Sequence, residues 1–134
     1  PAANVAAVIV LDMISRNAPD SVQAGGRGRS TLDDPLASVL RAHPELGLSV
    51  TTGPTYGSDQ VPFFHAGVPF LMFFAGLHPD YHTPRDEAAR TDPDKAARIT
   101  RLAFHTALAV ADADARPAWY PGGRPAARDA GPVR

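Results

Sequence analysis

The chain has 134 residues, 44% of them hydrophobic, with 13 basic side chains against 14 acidic ones and no cysteine. That is enough length and apolar content for one domain, or part of one, with a buried core. The formal net charge of -1 gives no electrostatic basis for holding nucleic acid or an anionic membrane surface, and disulfides and thiolate ligands are excluded. The longest apolar runs fall far below the roughly 20 residues of a spanning helix, so no membrane-spanning segment is expected. The chain opens at Pro1 without a methionine or a signal peptide and enters a strand almost at once. An upstream amino-terminal portion is therefore expected, and the lack of a targeting segment identifies no compartment.

Asn4 to Leu11 (NVAAVIVL) is apolar on both alternating faces, which predicts an interior strand covered by helices on both sides. Asp12 stands at its carboxyl end. An isolated Asp in such a place is most often a cap or turn former. Ser15 to Thr31 reads as a polar, glycine-rich loop whose Gly25, Gly26 and Gly28 match neither a dinucleotide fingerprint nor a phosphate loop. They are expected to be flexible-loop glycines. Asp34 followed by Pro35 predicts a helix start, with Asp34 as N-cap. Leu36, Val39 and Leu40 form its apolar face, and Pro44 ends it near His43.

Leu46 to Thr52 alternates apolar and small or polar residues and predicts a half-buried strand near a sheet edge. Gly53 to Asp59 is a turn-rich loop, and Val61, Phe63 and Phe64 suit a short helix after it. Val68 to Ala75, bounded by Gly67 and Gly76, reads as a fully buried strand. It runs straight into a knot of polar residues: His78, Asp80, Tyr81, His82 and Asp86. Two histidines four apart suit a metal-binding helix, but Pro79 and Pro84 rule out regular helix there. The segment is instead a rigid loop at the carboxyl end of a central strand, where α/β sheets bind ligands. If the two buried strands are adjacent and parallel, Asp12 and His82 share one edge of the sheet.

Thr91 or Asp92 caps the last helix, with Pro93 and Asp94 in its first turn. Ile99, Leu102, Ala103, Thr106 and Val110 define its buried face, widened by Phe104 and Leu108; Arg98, Arg101 and His105 lie opposite. From Arg116 the chain turns rich in Pro, Gly, Ala and Arg and is expected to be irregular, with Trp119 and Tyr120 docking it to the body.

A catalytic zinc takes about three protein ligands and keeps an open position for water. Asp12 and His82 are the two best-placed donors, with His78, Asp59 and Asp80 as further candidates. LDMISR (11–16), GSDQVPF (57–63), AGVPF (66–70) and FFAGLHPDYHTPRD (73–86) together resemble the carboxyl-terminal half of metallopeptidase family 28, the co-catalytic zinc aminopeptidases. The resemblance runs from about Val5 to Trp119. It implies an α/β fold: part of a three-layer, mostly parallel or mixed sheet with flanking helices. Residues 1–115 would be the carboxyl-terminal part of the catalytic domain and 116–134 an irregular tail. It further implies two zinc ions, with Asp12 binding one and His82 the other, Tyr81 stabilising the tetrahedral intermediate, and Ser58, Asp59 and Asp86 in support.

The chain departs from the family pattern at Val10, Ser15 and Gln60, where Asn, Gly and His are common. The family's first His ligand, bridging Asp and Glu-Glu pair would lie upstream. The resemblance thus implies a zinc-dependent exopeptidase of aminopeptidase type acting on peptides, secreted or periplasmic, with this chain inactive by itself. A glutaminyl-cyclase-like aminoacyltransferase and a metal-free, receptor-like interaction domain are the alternatives.

Overall fold

A computed structural model describes residues 4–124. Four strands, β1 (Val8–Asp12), β2 (Ser21–Gly25), β3 (Ser49–Thr52) and β4 (Phe70–Phe74), form one sheet in the order β1-β4-β2-β3. β1 runs parallel to β4 and β2 parallel to β3, while β2 and β4 are antiparallel, so the sheet is mixed. Three helices flank it: α1 (Asp33–Ala42), α2 (Val61–His65) and α3 (Pro93–Ala111).

The alternation of side chains along β4 divides the interior in two. Leu71 and Phe73 face one side, where they pack with Val22 and Ala24 of β2, Leu36 and Val39 of α1, and Ile99 and Leu102 of α3. Phe70 and Met72 face the other, against Phe64 of α2 and Trp119. The result is three layers, with β4 buried from Phe70 to Phe73 because it is apolar on both faces. β1 takes the outer position of the four-stranded sheet and is only half-buried, with Leu11 exposed. Its two-faced apolar pattern predicts an interior strand, and here it has one hydrogen-bonded neighbour.

β2 lies inside the stretch that reads as a loop. Its five residues alternate Val22 and Ala24 with Gln23, a signal too short and too weakly apolar to stand out beside the glycines that follow. Two of those glycines, Gly25 and Gly26, are not slack. A Cβ on Gly25 would lie 2.0 Å from the Pro54 carbonyl oxygen, and one on Gly26, at φ +86°, would lie 2.1 Å from that of Phe70, so both positions permit close backbone approach.

Helix α1 starts two residues earlier than the Asp-Pro signal predicts. Leu32 is its N-cap, and Asp33 and Asp34 both fall in the first turn, where they favour the positive end of the macrodipole. Leu46 sits in a short 3-10 turn, Pro44–Leu46, which leaves β3 as a four-residue edge strand. Asp92 caps α3, its carboxylate accepting from the Lys95 N–H at 2.9 Å. The buried face of α3 begins with Lys95 and continues through Ile99, Leu102, Ala103 and Thr106. Phe104 and Leu108 do not widen it. They are 60% and 46% exposed, because the sheet covers a narrower stripe of the helix than the apolar pattern offers.

Residues 116–124 have no helix or long strand, yet they are held. Trp119 packs edge-on against Phe64 and Phe70 and donates Nε1–H to the Gly67 carbonyl at 2.9 Å. The Tyr120 N–H donates to the Arg29 carbonyl, and the Arg124 guanidinium caps the Phe64 ring. The rest of the predicted tail lies outside the described residues. Among the described residues, no helix is long and apolar enough to cross a membrane.

Candidate active site

Parallel pairing of β1 and β4 sets Asp12 opposite Phe74, so both strands deliver their following loops to the same edge. The chain turns sharply after Asp12, with Met13 at φ +51°, and the Ala75 N–H donates to the Met13 carbonyl. Asn17, also left-handed at φ +65°, sends its amide Nδ2 to the carbonyls of Ala75 (2.9 Å) and Leu77 (3.1 Å). The two loops are thereby stitched together at their roots.

The loop after β4 is a succession of tight turns. Tyr81 N–H donates to His78 O, Thr83 N–H to Asp80 O, and Asp86 N–H to Thr83 O, while the Thr83 hydroxyl adds a second bond to Asp80 O at 2.8 Å. These turns place His82 at φ +54°, a conformation uncommon for a residue with a Cβ and one that persists where the surroundings impose it. The ring of His82 stacks on Tyr81 with centroids 3.8 Å apart, and Tyr81 meets His78 edge-on.

A cleft of about 450 Å³ opens between these loops and the one before α2. Its walls include Asp12, Ser58, Asp59, Tyr81, His82 and Asp86, the six residues that the sequence reading assigns to the site. Beside it a more apolar cavity of about 330 Å³ shares Asp12, Met13, Gly57 and Tyr81, and adds Pro54, Tyr56, Met72, Phe74 and Leu77. Two of the further ligand candidates are not on the cleft wall. Asp80 is buried, and its carboxylate is taken up by Arg16 (2.6 Å), Arg90 (3.0 Å) and Arg85 (3.6 Å). The hydrogen bond from Arg16 in particular holds its carboxyl below the usual carboxylate range. His78 is buried with Nε2 at 3.6 Å from Asp86 Oδ2 and Nδ1 unpartnered.

The model of peptidase family M28 matches residues 1–107. The chain belongs to peptidase family M28. Among solved structures, the M28 chain is similar to a zinc aminopeptidase from Bacillus subtilis, at 23% identity and a TM-score of 0.54, over 76% of this chain. That likeness is one of fold, and the chain spans 27% of the length of that structure. No curated protein matches it.

The donor set of the M28 chain fits zinc in kind. Carboxylate and imidazole are both zinc ligands, and among the described residues neither the Asp12 carboxylate nor the His82 imidazole is engaged by a hydrogen bond or ion pair. In number it stops at two: no group of three or more His, Cys, Asp or Glu among the described residues is placed to hold a metal ion.

Sequence reasoning missed the residues that hold the site's loops. Lys95, 0% exposed, donates from Nζ to the carbonyls of Arg16 (2.5 Å) and Ala18 (2.7 Å). Burial pushes its pKa down, partly offset by Asp92 and Asp20. Its position four before Ile99 on the buried face of α3 was the available signal. Arg16 pairs with both Asp80 and Asp86. A lone arginine in a polar loop carries no such signal, because both partners lie more than sixty residues away.

Proposed function

We propose that this chain is part of the catalytic domain of a zinc-dependent exopeptidase that removes amino-terminal residues from peptides. The observation that carries the reading is the convergence of Asp12, Tyr81 and His82, with Ser58, Asp59 and Asp86, on one cleft of a chain in peptidase family M28. Asp12 and His82 would each hold one of two zinc ions. Bound zinc polarises a carbonyl and brings the pKa of its water to about 7.

The chain's own residues do the rest. Asp12 leaves a hydrogen-bonded strand end, so its carboxylate is offered with little freedom to lose. Tyr81, 39% exposed on the cleft wall, presents a phenol that donates to the oxygen on which negative charge develops. A donor aimed at that charge stabilises the transition state more than the ground state. The apolar cavity alongside, floored by Met72 and Phe74, excludes water and accommodates an apolar substrate side chain. Asp59 and Asp86 line the cleft; Asp59 makes it favourable for cations, while Asp86 is paired with Arg16.

The test is hydrolysis of aminoacyl p-nitroanilides by the full-length protein, with zinc content measured on the same sample. Activity is expected on free but not on acetylated amino termini, and Tyr81→Phe is expected to lower kcat about 10²- to 10³-fold with little change in KM. The isolated 134-residue chain, with two donors where a catalytic zinc takes about three, is expected to be inactive. A zinc-loaded full-length protein that cyclises amino-terminal Gln without hydrolysing peptides would move the assignment to an aminoacyltransferase. Failure to take up zinc would move it to an interaction domain.

A further inference from the structure

His82 stands in a run of turns and not in a paired strand. The sheet fixes Asp12 through the β1–β4 register, but residues 75–92 contain no strand and only one short 3-10 turn, Ala88–Arg90. Something else must set where Tyr81 and His82 stand relative to Asp12. Asn17 ties only the root of the loop, at the Ala75 and Leu77 carbonyls; Arg16 reaches the part that carries Tyr81 and His82. Its Nη2 donates to Asp80 Oδ2 at 2.6 Å and its Nη1 to Asp86 Oδ1 at 2.5 Å, so one guanidinium grips the chain on both sides of Tyr81 and His82.

Three features distinguish this from an ordinary surface ion pair, which contributes little. The Arg16 side chain is 12% exposed and that of Asp80 9%, so the bond between them is poorly screened, while the Asp86 end is more open. A planar fork bound to two separate carboxylates is fixed in rotation as well as position. The backbone beneath it is also anchored: Lys95 of α3 binds the Arg16 and Ala18 carbonyls, and the Asp92 N–H donates to the Ser15 carbonyl at 2.7 Å. A continuous path therefore runs from the packed helix α3, through the Arg16 backbone and guanidinium, to the two carboxylates that bracket Tyr81 and His82. Arg16 lies four residues after Asp12, so the same segment carries one donor and aims the other.

We propose that Arg16 is a positioning residue, which holds the 80–86 loop so that Tyr81 and His82 face the same cleft as Asp12 before any metal arrives. The proposal rests on the zinc reading for its consequence in affinity, but its structural part stands without metal. Side chains that orient metal ligands from behind typically cost 10- to 100-fold in metal affinity when removed. Lysine cannot replace the fork, because a single ammonium does not span two carboxylates in fixed geometry.

The experiment compares wild type, Arg16→Ala, Arg16→Lys and Asp86→Asn in the full-length protein. It uses zinc affinity by chelator competition, kcat and KM at saturating zinc, and amide hydrogen exchange of the metal-free forms. Arg16→Ala is expected to raise the zinc Kd about 10- to 100-fold, to lower kcat more than it changes KM, and to accelerate exchange at Tyr81, Thr83 and Asp86 while sparing β4. Arg16→Lys should fall between the two, and Asp86→Asn, at a more exposed position, should reproduce part of the effect if Arg16→Ala does not fold. Unchanged zinc affinity and exchange in Arg16→Ala would overturn the proposal, as would full rescue by lysine or exchange accelerated uniformly across the sheet. If the wild type binds no zinc, the zinc reading fails; the exchange pattern then decides on Arg16, acceleration confined to the 78–86 loop supporting it and any other pattern sinking it.

Discussion

Replacing Lys95 with methionine removes an ammonium while keeping an unbranched side chain of similar length, and it tests how α3 holds the loop behind Asp12. Lys95 is wholly buried and makes two short bonds to carbonyls of that loop. Hydrogen bonds from a charged donor are worth about 1.5–3 kcal/mol each, so the two are worth about 3–6 kcal/mol before any cost is counted. Burying the ammonium opposes them by several kcal/mol, roughly. Methionine removes both contributions and strands the acceptors. The Ala18 carbonyl belongs to an exposed residue and rehydrates, whereas that of half-buried Arg16 does not fully, at about 1–3 kcal/mol. The expected net loss is about 1–3 kcal/mol, or a fall in Tm of roughly 5–10 °C for a chain of this size.

The pH dependence gives the sharper check. Desolvation lowers the folded-state pKa of Lys95, with Arg98 acting in the same direction and Asp92 and Asp20 against. Between that value and the unfolded one near 10.4, the unfolded chain binds more protons than the folded chain, so stability rises with pH. The cost of the buried charge is fully present below the lowered folded-state value and disappears as pH climbs through this window. Lys95→Met lacks the group, so the gap between wild type and variant should widen from pH 7 to pH 10. Urea unfolding followed by circular dichroism measures it. A gap that narrows with rising pH would show the ammonium to be favoured in place over the neutral amine, and would refute the reasoning.

Trp119→Ala should cost about 2–4 kcal/mol, somewhat below the range for a fully buried Trp. It empties the space between Phe64 and Phe70 and frees the Gly67 carbonyl; the urea midpoint by circular dichroism reports it, and a change under 1 kcal/mol would mean that the terminal segment is not anchored there. Gly25→Ala should cost about 1–3 kcal/mol or more, since its Cβ would meet the Pro54 carbonyl at 2.0 Å and push the loop that carries Tyr56 and Gly57 toward the cleft. A neutral Gly25→Ala would contradict that close approach.

Much of the fold was legible because its elements are dense in one kind of signal. β4 is five apolar residues between two glycines, and α3 combines an Asp-Pro start with a 3.6-residue apolar repeat. Both appear where the pattern puts them. β2 was not legible, although it is central, because only Val22 and Ala24 of its five residues carry an apolar side chain, and Gly25 contributes closeness to Pro54 and no side chain. Periodicity counts apolar side chains and cannot register a position that matters for having none. The misplaced width of α3's buried face has the converse cause. Phe104 and Leu108 are apolar and exposed, and whether such residues are covered depends on how far the neighbouring layer extends.

The same division runs through the candidate site. Asp12 could be placed from sequence because a strand end is a local property: eight residues before it fix the direction, and one neighbouring strand fixes the edge. His82 could be placed only in part, because its backbone lies in the left-handed region within a run of turns whose flanking carboxylates are bound from more than sixty residues away. The carboxylates on either side of it are gripped by Arg16, whose own carbonyl is held by Lys95, and no window of sequence contains all of these. A loop with so few pairings of its own would sample many conformations, and each would carry His82 to a different position relative to Asp12. Pre-paying that ordering through the Arg16 side chain leaves less entropy to lose when a ligand bridges the two loops. The polar residues that looked like spare ligands, Asp80 above all, are therefore better understood as the other half of this brace. The charge of Asp80 is spent on guanidinium groups behind the cleft, whereas Asp12 and His82 line the cleft itself.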